Sequence, residues 1–285
     1  MADFPPVSRK PRDDEIDVFG MTHPGRVRKN NQDHYLLASV YKRLQINATS
    51  LPDTEAFSVG EDRVAFIAMV ADGVGGGVGG EEASATALQS ALTYVNDSMA
   101  CYLGREDNES GFAEALQRAA LSSHEAILAR RAATGATGTM ATTLTLFLGV
   151  WPRYYLLQLG DSRYYLLREG VLTQVTRDQT FAESLIEVGA MTREAAKTSK
   201  LANVLSSALG SDESVPVVTP MNADWRNIHL LCSDGLTKHV SDERITEILE
   251  SASTAKESCE RLVQAALDDG GTDNITVIVG RTTPK

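Results

Sequence analysis

The sequence predicts an α+β layered domain, on three observations. From Thr139 onward, short segments alternate apolar with polar or aromatic residues and are joined by turn residues, the pattern of antiparallel strands. Two helical patterns precede that run as a pair and do not alternate with it, which argues against βαβ units and a parallel sheet. At 285 residues, with 42% hydrophobic and 23% charged content, the chain has an ordinary globular composition and can bury a sizeable core.

Residues 1 to about 14 are Pro-rich and charged without periodicity and read as a flexible leader. Residues 16–21 and 33–40 read as strands separated by a turn at Pro24 and Gly25, a hairpin-like opening whose connection carries the basic cluster Arg26, Arg28 and Lys29. Residues 42–62 are polar and read as an elaborated loop. Then comes VAFIAMVADGVGGGVGGEE, residues 64–82: an apolar run stops at Asp72 and a glycine tract follows at once. That is a strand delivering a carboxylate to a mouth, where glycine lets backbone approach a ligand closely. Taken alone, it reads equally well as a tight turn.

Leu88, Leu92, Val95, Met99 and Leu103 mark one face of a helix ending at Gly104, and Phe112, Leu116, Ala120 and Ile127 mark a second helix beginning near Ser110. The β-rich run from Thr139 includes a hairpin turn at Arg168-Glu169-Gly170. Residues 178–204 return to short helical pieces and read as a movable flap. Strands over 215–219 and 228–232, helices over 242–251 and 255–269, and a strand over 275–279 complete one domain spanning 15–281, without repeats or interior linkers.

A net charge of -11 opposes a nucleic-acid or anionic-membrane surface and leaves divalent cations as natural guests. The three cysteines are scattered and odd in number, so neither a disulfide framework nor a zinc knuckle is indicated. No apolar run has membrane-spanning length and no signal core opens the chain, which places the protein in the cytoplasm.

Strand edges repeatedly carry an acid beside a small residue or an amide: Asp72-Gly73, Gly160-Asp161-Ser162, Ser233-Asp234-Gly235 and Thr272-Asp273-Asn274. Any one of them is ordinary turn chemistry. Jointly they point to a shared site. Aspartate oxygens suit Mg²⁺ or Mn²⁺, whereas zinc or iron would bring in histidine or cysteine. The five histidines show no ligand spacing, and His34 is kept only as a candidate supporting residue beside Asp33. Paired divalent ions lower the pKa of a shared water, and Arg28 is the arginine best placed to grip a tetrahedral oxyanion.

RVRKNNQD, VADGVGGG, GDSR, CSDGL and GGTDNITVIV, in this order, resemble the motif set of the metal-dependent protein Ser/Thr phosphatases, the type 2C or PPM family, in its bacterial form. The resemblance implies a four-layer α/β/β/α sandwich of two antiparallel sheets flanked by helix pairs, with a dimetal site at one edge. It implies that Asp72 bridges two Mn²⁺ or Mg²⁺ ions, that the Gly73 carbonyl, Asp234 and Asp273 complete the ligands, and that Asp161 with Asp234 holds a third, weaker ion. It gives Arg28 the phosphate and Asp33 the ordering of metal-bound water. The reaction implied is hydrolysis of phosphoserine and phosphothreonine by a metal-bridging hydroxide, in a monomer acting on substrates of a Ser/Thr kinase. Departures are Gln32, where many members carry glutamate; Val74, where some eukaryotic members carry a proposed general acid; and GTMATT and Ser206-Ser207, which touch packing and the flap.

Two other readings stand beside this one. Gly75, Gly77 and Gly80 satisfy the GxGxxG dinucleotide pattern, but Asp72 would crowd the pyrophosphate and no ribose-binding strand follows. A catalytically weak or inactive scaffold of the same fold is argued against by the retained aspartates, with Gln32 alone pointing its way.

Overall fold

The computed structural model describes residues 9–42, 62–75, 78–102, 109–136 and 138–283. The elements are, in order, β1 (Ile16–His23), β2 (Asp33–Lys42), β3 (Asp62–Val74), α1 (Val78–Tyr102), α2 (Glu109–Thr134), β4 (Ala141–Thr142), β5 (Leu144–Val150), β6 (Arg153–Leu159), β7 (Arg163–Arg168), β8 (Val171–Gln174), α3 (Phe181–Glu187), α4 (Arg193–Lys197), β9 (Val217–Asn222), β10 (Ile228–Cys232), α5 (Asp234–Thr237), α6 (Asp242–Ser251), α7 (Ala255–Asp268) and β11 (Ile275–Thr282). The loop expected over 42–62, the helix end at Leu103 and Gly104, and the glycines at 76 and 77 fall largely or wholly outside the described residues.

The strands form two antiparallel sheets, ordered β1-β11-β10-β7-β8 and β2-β3-β5-β6-β9, with β4 paired to β3. Side-chain alternation along β3 shows how the layers stack. Ile67, Met69 and Ala71 face α1 and α2 in a core with Leu88, Leu116 and Ile127. Ala68 and Val70 point the other way, to meet Phe147, Leu156, Tyr164, Leu231 and Ile278 between the sheets. On the outer face of the second sheet, Ile245 and Ile248 of α6 and Leu262 and Val263 of α7 cover Tyr165, Leu230 and Val277. The order is α/β/β/α, as the motifs imply.

The opening is not a hairpin. β1 pairs along its whole length with β11, from Ile16↔Thr282 to His23↔Ile275, while β2 pairs with β3 in the other sheet. Residues 24–32 therefore cross from one sheet to the other. Pro and Gly signal a reversal but do not say which strand receives the returning chain, and this connection is longer than the usual hairpin loop. A second crossing, Gly160–Ser162, joins β6 to β7 at the same edge of the sandwich. Both crossings carry residues singled out from the motifs.

The leader boundary is also displaced. Residues 9–14 are docked: Trp225 Nε1 donates to the Arg9 carbonyl at 3.0 Å, and Arg63 donates to the Pro11 carbonyl and to Asp13, each at 2.7 Å. Glu15, 1% exposed, accepts from Arg9 Nη1 at 2.7 Å and from the Arg12 amide at 2.9 Å. A stretch without periodicity still orders when its charges find buried partners, here Glu15 and Arg63.

Among the described residues, no helix is long and apolar enough to cross a membrane.

Candidate metal centre

β3 runs through Asp72 into Gly73 and Val74, so the acid is held inside a sheet and not on a free loop. Its backbone is clamped from three directions. The Asp72 amide donates to Thr143 Oγ1 at 2.9 Å, and its carbonyl accepts from the Thr143 amide at 2.9 Å and from Thr142 Oγ1 at 2.8 Å. Both threonines are fully buried and belong to the segment GTMATT. Gly73 admits no side chain, because a Cβ there would lie 2.3 Å from the Gly80 carbonyl oxygen and 2.8 Å from that of Gln32.

Asp33 opens β2 directly opposite Asp72 in the register. It is 3% exposed, and its Oδ2 reaches across the sandwich to accept from Thr276 Oγ1 of β11 at 2.7 Å. Because Thr276 donates there, Thr22 donates to Thr276 at 2.8 Å, and Asn31 Nδ2 donates in turn to Thr22 at 2.8 Å. The relay fixes the carboxyl and leaves Asp33 Oδ1 buried without a partner.

The opposite sheet supplies Asp234, at the start of α5, and Asp273, just before β11. Gly235 lets these two segments touch: a Cβ there would lie 1.9 Å from the Asn274 carbonyl oxygen. Asn274 Nδ2 donates to the carbonyls of Pro24 at 3.0 Å and Asn30 at 2.9 Å, and its Oδ1 accepts from the Gln32 amide at 2.9 Å. The loop bearing Arg28 is thereby tied to the strand bearing Asp273. Arg28 lies on Asp273 as a two-pronged fork, Nε to Oδ1 and Nη2 to Oδ2, each 2.8 Å. Lys238 Nζ lies 2.5 Å from Asp234 Oδ2 and 2.9 Å from Asp273 Oδ2.

Asp161, on the second crossing, borders a cavity of about 450 Å³ between the acids and the flap, with Arg163, Asp178, Arg193, Asp234 and Lys238 in its wall. Arg163 is forked onto Asp178, Nε to Oδ1 at 2.9 Å and Nη2 to Oδ2 at 2.7 Å, fixing the start of the flap. The flap consists of α3, α4 and a 3-10 turn at Lys200–Asn203, with Thr180, Thr192 and Ser199 capping the three pieces in turn.

These acids repel one another. Burial raises Asp72 well above the usual carboxylate range, and the charges of Asp33, Asp234, Asp161 and Asp273 add to it. Burial and then Asp234 and Asp178 push Asp161 up to about 8, and burial carries Asp33 up to about 6 against hydrogen bonds from Ser233 and Thr276. Asp273 goes the other way, because its bonds to Arg28 and Lys238 outweigh its burial.

Among the described residues, no three His, Cys, Asp or Glu side chains converge in a ready-made ligand sphere. The acids stand instead in pairs, Asp33 with Asp72 across the β2–β3 register and Asp234 with Asp273 about the Lys238 ammonium. The donor set nevertheless fits hard divalent ions: every candidate ligand is an oxygen, and Asp33 Oδ1 and Asp234 Oδ1, from opposite sheets, are buried with no partner. Asp33, Asp72, Asp161, Asp234, Asp273, Gly73 and Arg28 thus gather at one edge. His34 turns away toward α1, its Nδ1 2.9 Å from Ser84 Oγ. Gln32 Nε2 donates to the Gly75 carbonyl at 3.2 Å.

Three contributors escape the sequence reading. Asn274 lies inside a quoted motif but is passed over there as a neighbour. Lys238 stands four residues after Asp234, a helical spacing that signals contact only once the single turn of α5 is known. His239 takes the Thr272 amide on Nε2 at 2.9 Å and gives its Nδ1 proton to Asp269 Oδ2 at 3.0 Å, steadying the turn before Asp273.

The four-layer sandwich thus gathers an oxygen-only set of acids, a donor set suited to hard divalent ions, at one edge between its sheets. Residues 48–272 match the family model for protein phosphatase 2C, and the chain belongs to that family. It is 38% identical over 210 residues to the serine/threonine protein phosphatase PstP of Mycobacterium tuberculosis, an alignment covering 74% of this chain and 39% of that protein. The chain thus matches well under half of that relative's length. The serine/threonine phosphatase stp of Listeria monocytogenes is 33% identical over 216 residues, covering 75% of this chain and 83% of the relative. In structure, the chain superposes on the crystal structure of M. tuberculosis PstP/Ppp with a TM-score of 0.74 at 31% identity, covering 94% of this chain and 99% of that one. The catalytic domain of PstP in complex with two manganese ions gives a TM-score of 0.70, with the same identity and coverage.

Proposed function

We propose that this chain is a metal-dependent protein serine/threonine phosphatase that hydrolyses phosphoserine and phosphothreonine with two Mn²⁺ or Mg²⁺ ions. The observation that carries the reading is the convergence of Asp33 and Asp72 from one sheet with Asp234 and Asp273 from the other, beside Arg28. The similarity to a PstP catalytic domain that holds two manganese ions supports the choice of ion.

On this reading Asp72, the Gly73 carbonyl, Asp234 and Asp273 would hold the two ions, and Asp161 with Asp234 would hold a weaker third. When bound, the ions supply Lewis acidity toward the phosphoryl oxygens and activate a water as nucleophile. Arg28 holds the phosphoryl group: its fork, now spread over the two oxygens of Asp273, has the spacing that two phosphoryl oxygens require. Asp33 orients the attacking water through Oδ1, the oxygen left free while Oδ2 is held by Thr276. Residues 15–281 act as one catalytic domain, with 178–204 as the flap that meets the peptide flanking the phosphoresidue. The partners are phosphoproteins written by a Ser/Thr kinase, the working form is a monomer, and the compartment is the cytoplasm.

The test is turnover of p-nitrophenyl phosphate and a phosphothreonine peptide with and without Mn²⁺, beside Asp273→Asn. The reading expects metal-stimulated hydrolysis that the variant largely loses. A wild type without metal-stimulated activity would overturn it in favour of a binding module.

A further inference from the structure

Lys238 has no part in the site as the motifs define it, yet its ammonium sits against two of the proposed ligands. Nζ bridges Asp234 Oδ2 and Asp273 Oδ2 at 2.5 and 2.9 Å, and the side chain is only 31% exposed. The contact is built in by the backbone. Lys238 follows the single turn of α5, its amide donates to the Asp234 carbonyl at 2.9 Å, and one helical turn returns its side chain over the acid that opens the turn.

Arg28 and Lys238 share one atom: both donate to Asp273 Oδ2, at 2.8 and 2.9 Å. The two cations are therefore near neighbours, and an anion gripped by one lies within reach of the other. Both stand on a carboxylate that a divalent ion would also use. An ion can take Asp234 through its free Oδ1, but both oxygens of Asp273 already carry donors, so an ion bound there competes with the Lys238 ammonium and the Arg28 fork for the same lone pairs.

A displaced ammonium stays beside Arg28, because both cations share Asp273 Oδ2, and a phosphomonoester dianion gripped by Arg28 lies within its reach.

We propose that Lys238 is an exchangeable counter-ion of this site: it holds Asp234 and Asp273 before the divalent ions bind, competes with them for those oxygens, and on loading turns its ammonium to the substrate phosphate beside Arg28. The proposal rests on the phosphatase reading and names a further positioning residue for it. The flexible four-carbon stem and the adjoining cavity, about 450 Å³ with Lys238 in its wall, allow the swing without movement of the backbone.

Isothermal titration of Mn²⁺ into metal-stripped protein separates the parts, using wild type, Lys238→Met and Lys238→Arg. Lys238→Met is expected to bind Mn²⁺ about five- to tenfold more tightly, the range set by one part-buried ion pair that no longer has to be broken. Lys238→Arg, which keeps a cation, is expected to stay within about twofold of wild type. At saturating Mn²⁺, Lys238→Met is expected to raise KM for a phosphothreonine peptide about tenfold, with kcat changed far less, the signature of lost phosphate binding. Equal or weaker Mn²⁺ binding by Lys238→Met would overturn the competition, and an unchanged KM would overturn the phosphate contact. If wild type binds Mn²⁺ and turns over phosphopeptide while both outcomes fail, the lysine proposal falls alone; if wild type binds no Mn²⁺, the phosphatase reading falls and takes it along.

Discussion

Asp33 and Asp72 face each other as a register pair across β2 and β3, at the edge where residues 24–32 and Gly160–Ser162 cross between the sheets. The pairing brings two carboxylates together in a buried place, where burial favours protonation of both, the charge of Asp33 raises Asp72 further and that of Asp234 raises Asp33. This is poor for the stability of the metal-free protein and useful for binding dications, which makes stability and activity respond oppositely to the same substitution.

Asp33→Asn follows directly. An amide can still accept from Thr276 and removes one charge from the pair. The metal-free variant is expected to melt a few degrees higher than metal-free wild type, as about 1 kcal/mol would produce in a chain of this size. Its kcat is expected to fall about 10²-fold, the usual contribution of one positioned proton acceptor. Scanning calorimetry in EDTA and turnover at saturating Mn²⁺ read the two effects. A variant that melts lower and turns over normally would contradict both halves.

Metal binding itself has a predicted size. A ligand that binds only the native state at about 100 times its Kd stabilises by about 2.7 kcal/mol. Mn²⁺ is therefore expected to raise the melting temperature by several degrees, EDTA to reverse it, and Asp234→Asn to reduce it most, because the proposed function gives Asp234 a part in both the main pair of ions and the weaker third position. A melting curve indifferent to Mn²⁺ in wild type would argue against the metal centre.

Asn274 makes three hydrogen bonds that tie the 24–32 crossing to β11. Truncation leaves two carbonyls and one amide without their partner. Asn274→Ala is expected to cost about 2–3 kcal/mol of stability, at roughly 1 kcal/mol per bond. Because Arg28 rides on that crossing, KM for a phosphopeptide is expected to rise more than kcat falls. Denaturant titration and steady-state kinetics check each part, and an equal loss from Asn274→Asp would show that the carbonyl contacts, which only an amide donor can make, matter most.

The helix stripes and strand alternation were legible because each reports one local periodicity, and Leu88, Val95, Phe112, Leu116 and Ile127 are buried as their spacing requires. The acids were legible because small residues or amides flank them at strand ends. Partner choice was not: residues 24–32 read as a hairpin turn although β1 pairs with β11, since a turn residue fixes the reversal and not its destination. Likewise Thr142, Thr143 and Thr276 look like ordinary strand threonines. Their function lies in hydrogen bonds to residues 70 to 243 positions away, a separation that no local pattern encodes.

His229 supplies a stability prediction independent of the metal centre. It lies on β10, with ring contacts to Phe147, Tyr154 and Tyr164, and its remaining surface faces a cavity of about 80 Å³ between the sheets. The Tyr164 hydroxyl, whose own pKa burial raises well above 10, stays protonated and shares a hydrogen bond with His229 Nδ1 at 2.6 Å. Burial lowers the imidazole pKa from 6.5 to about 4, so the ring is neutral at pH 7. Above pH 6.5 the ring is neutral in both the folded and the unfolded chain, and stability does not respond to it. Between 6.5 and 4 the unfolded chain takes up a proton that the folded one refuses, so stability falls as pH falls, by about 3 kcal/mol at most; below 4 both are protonated and the loss is complete. His229→Asn keeps an acceptor for Tyr164 and removes the titration. Guanidinium unfolding at pH 7.5, 6, 5 and 4 is expected to give a wild-type curve that drops more steeply toward acid than the variant's, the two differing by this amount at pH 4 relative to their difference at pH 7.5. Parallel curves would mean that the imidazole titrates normally, through water admitted by the cavity.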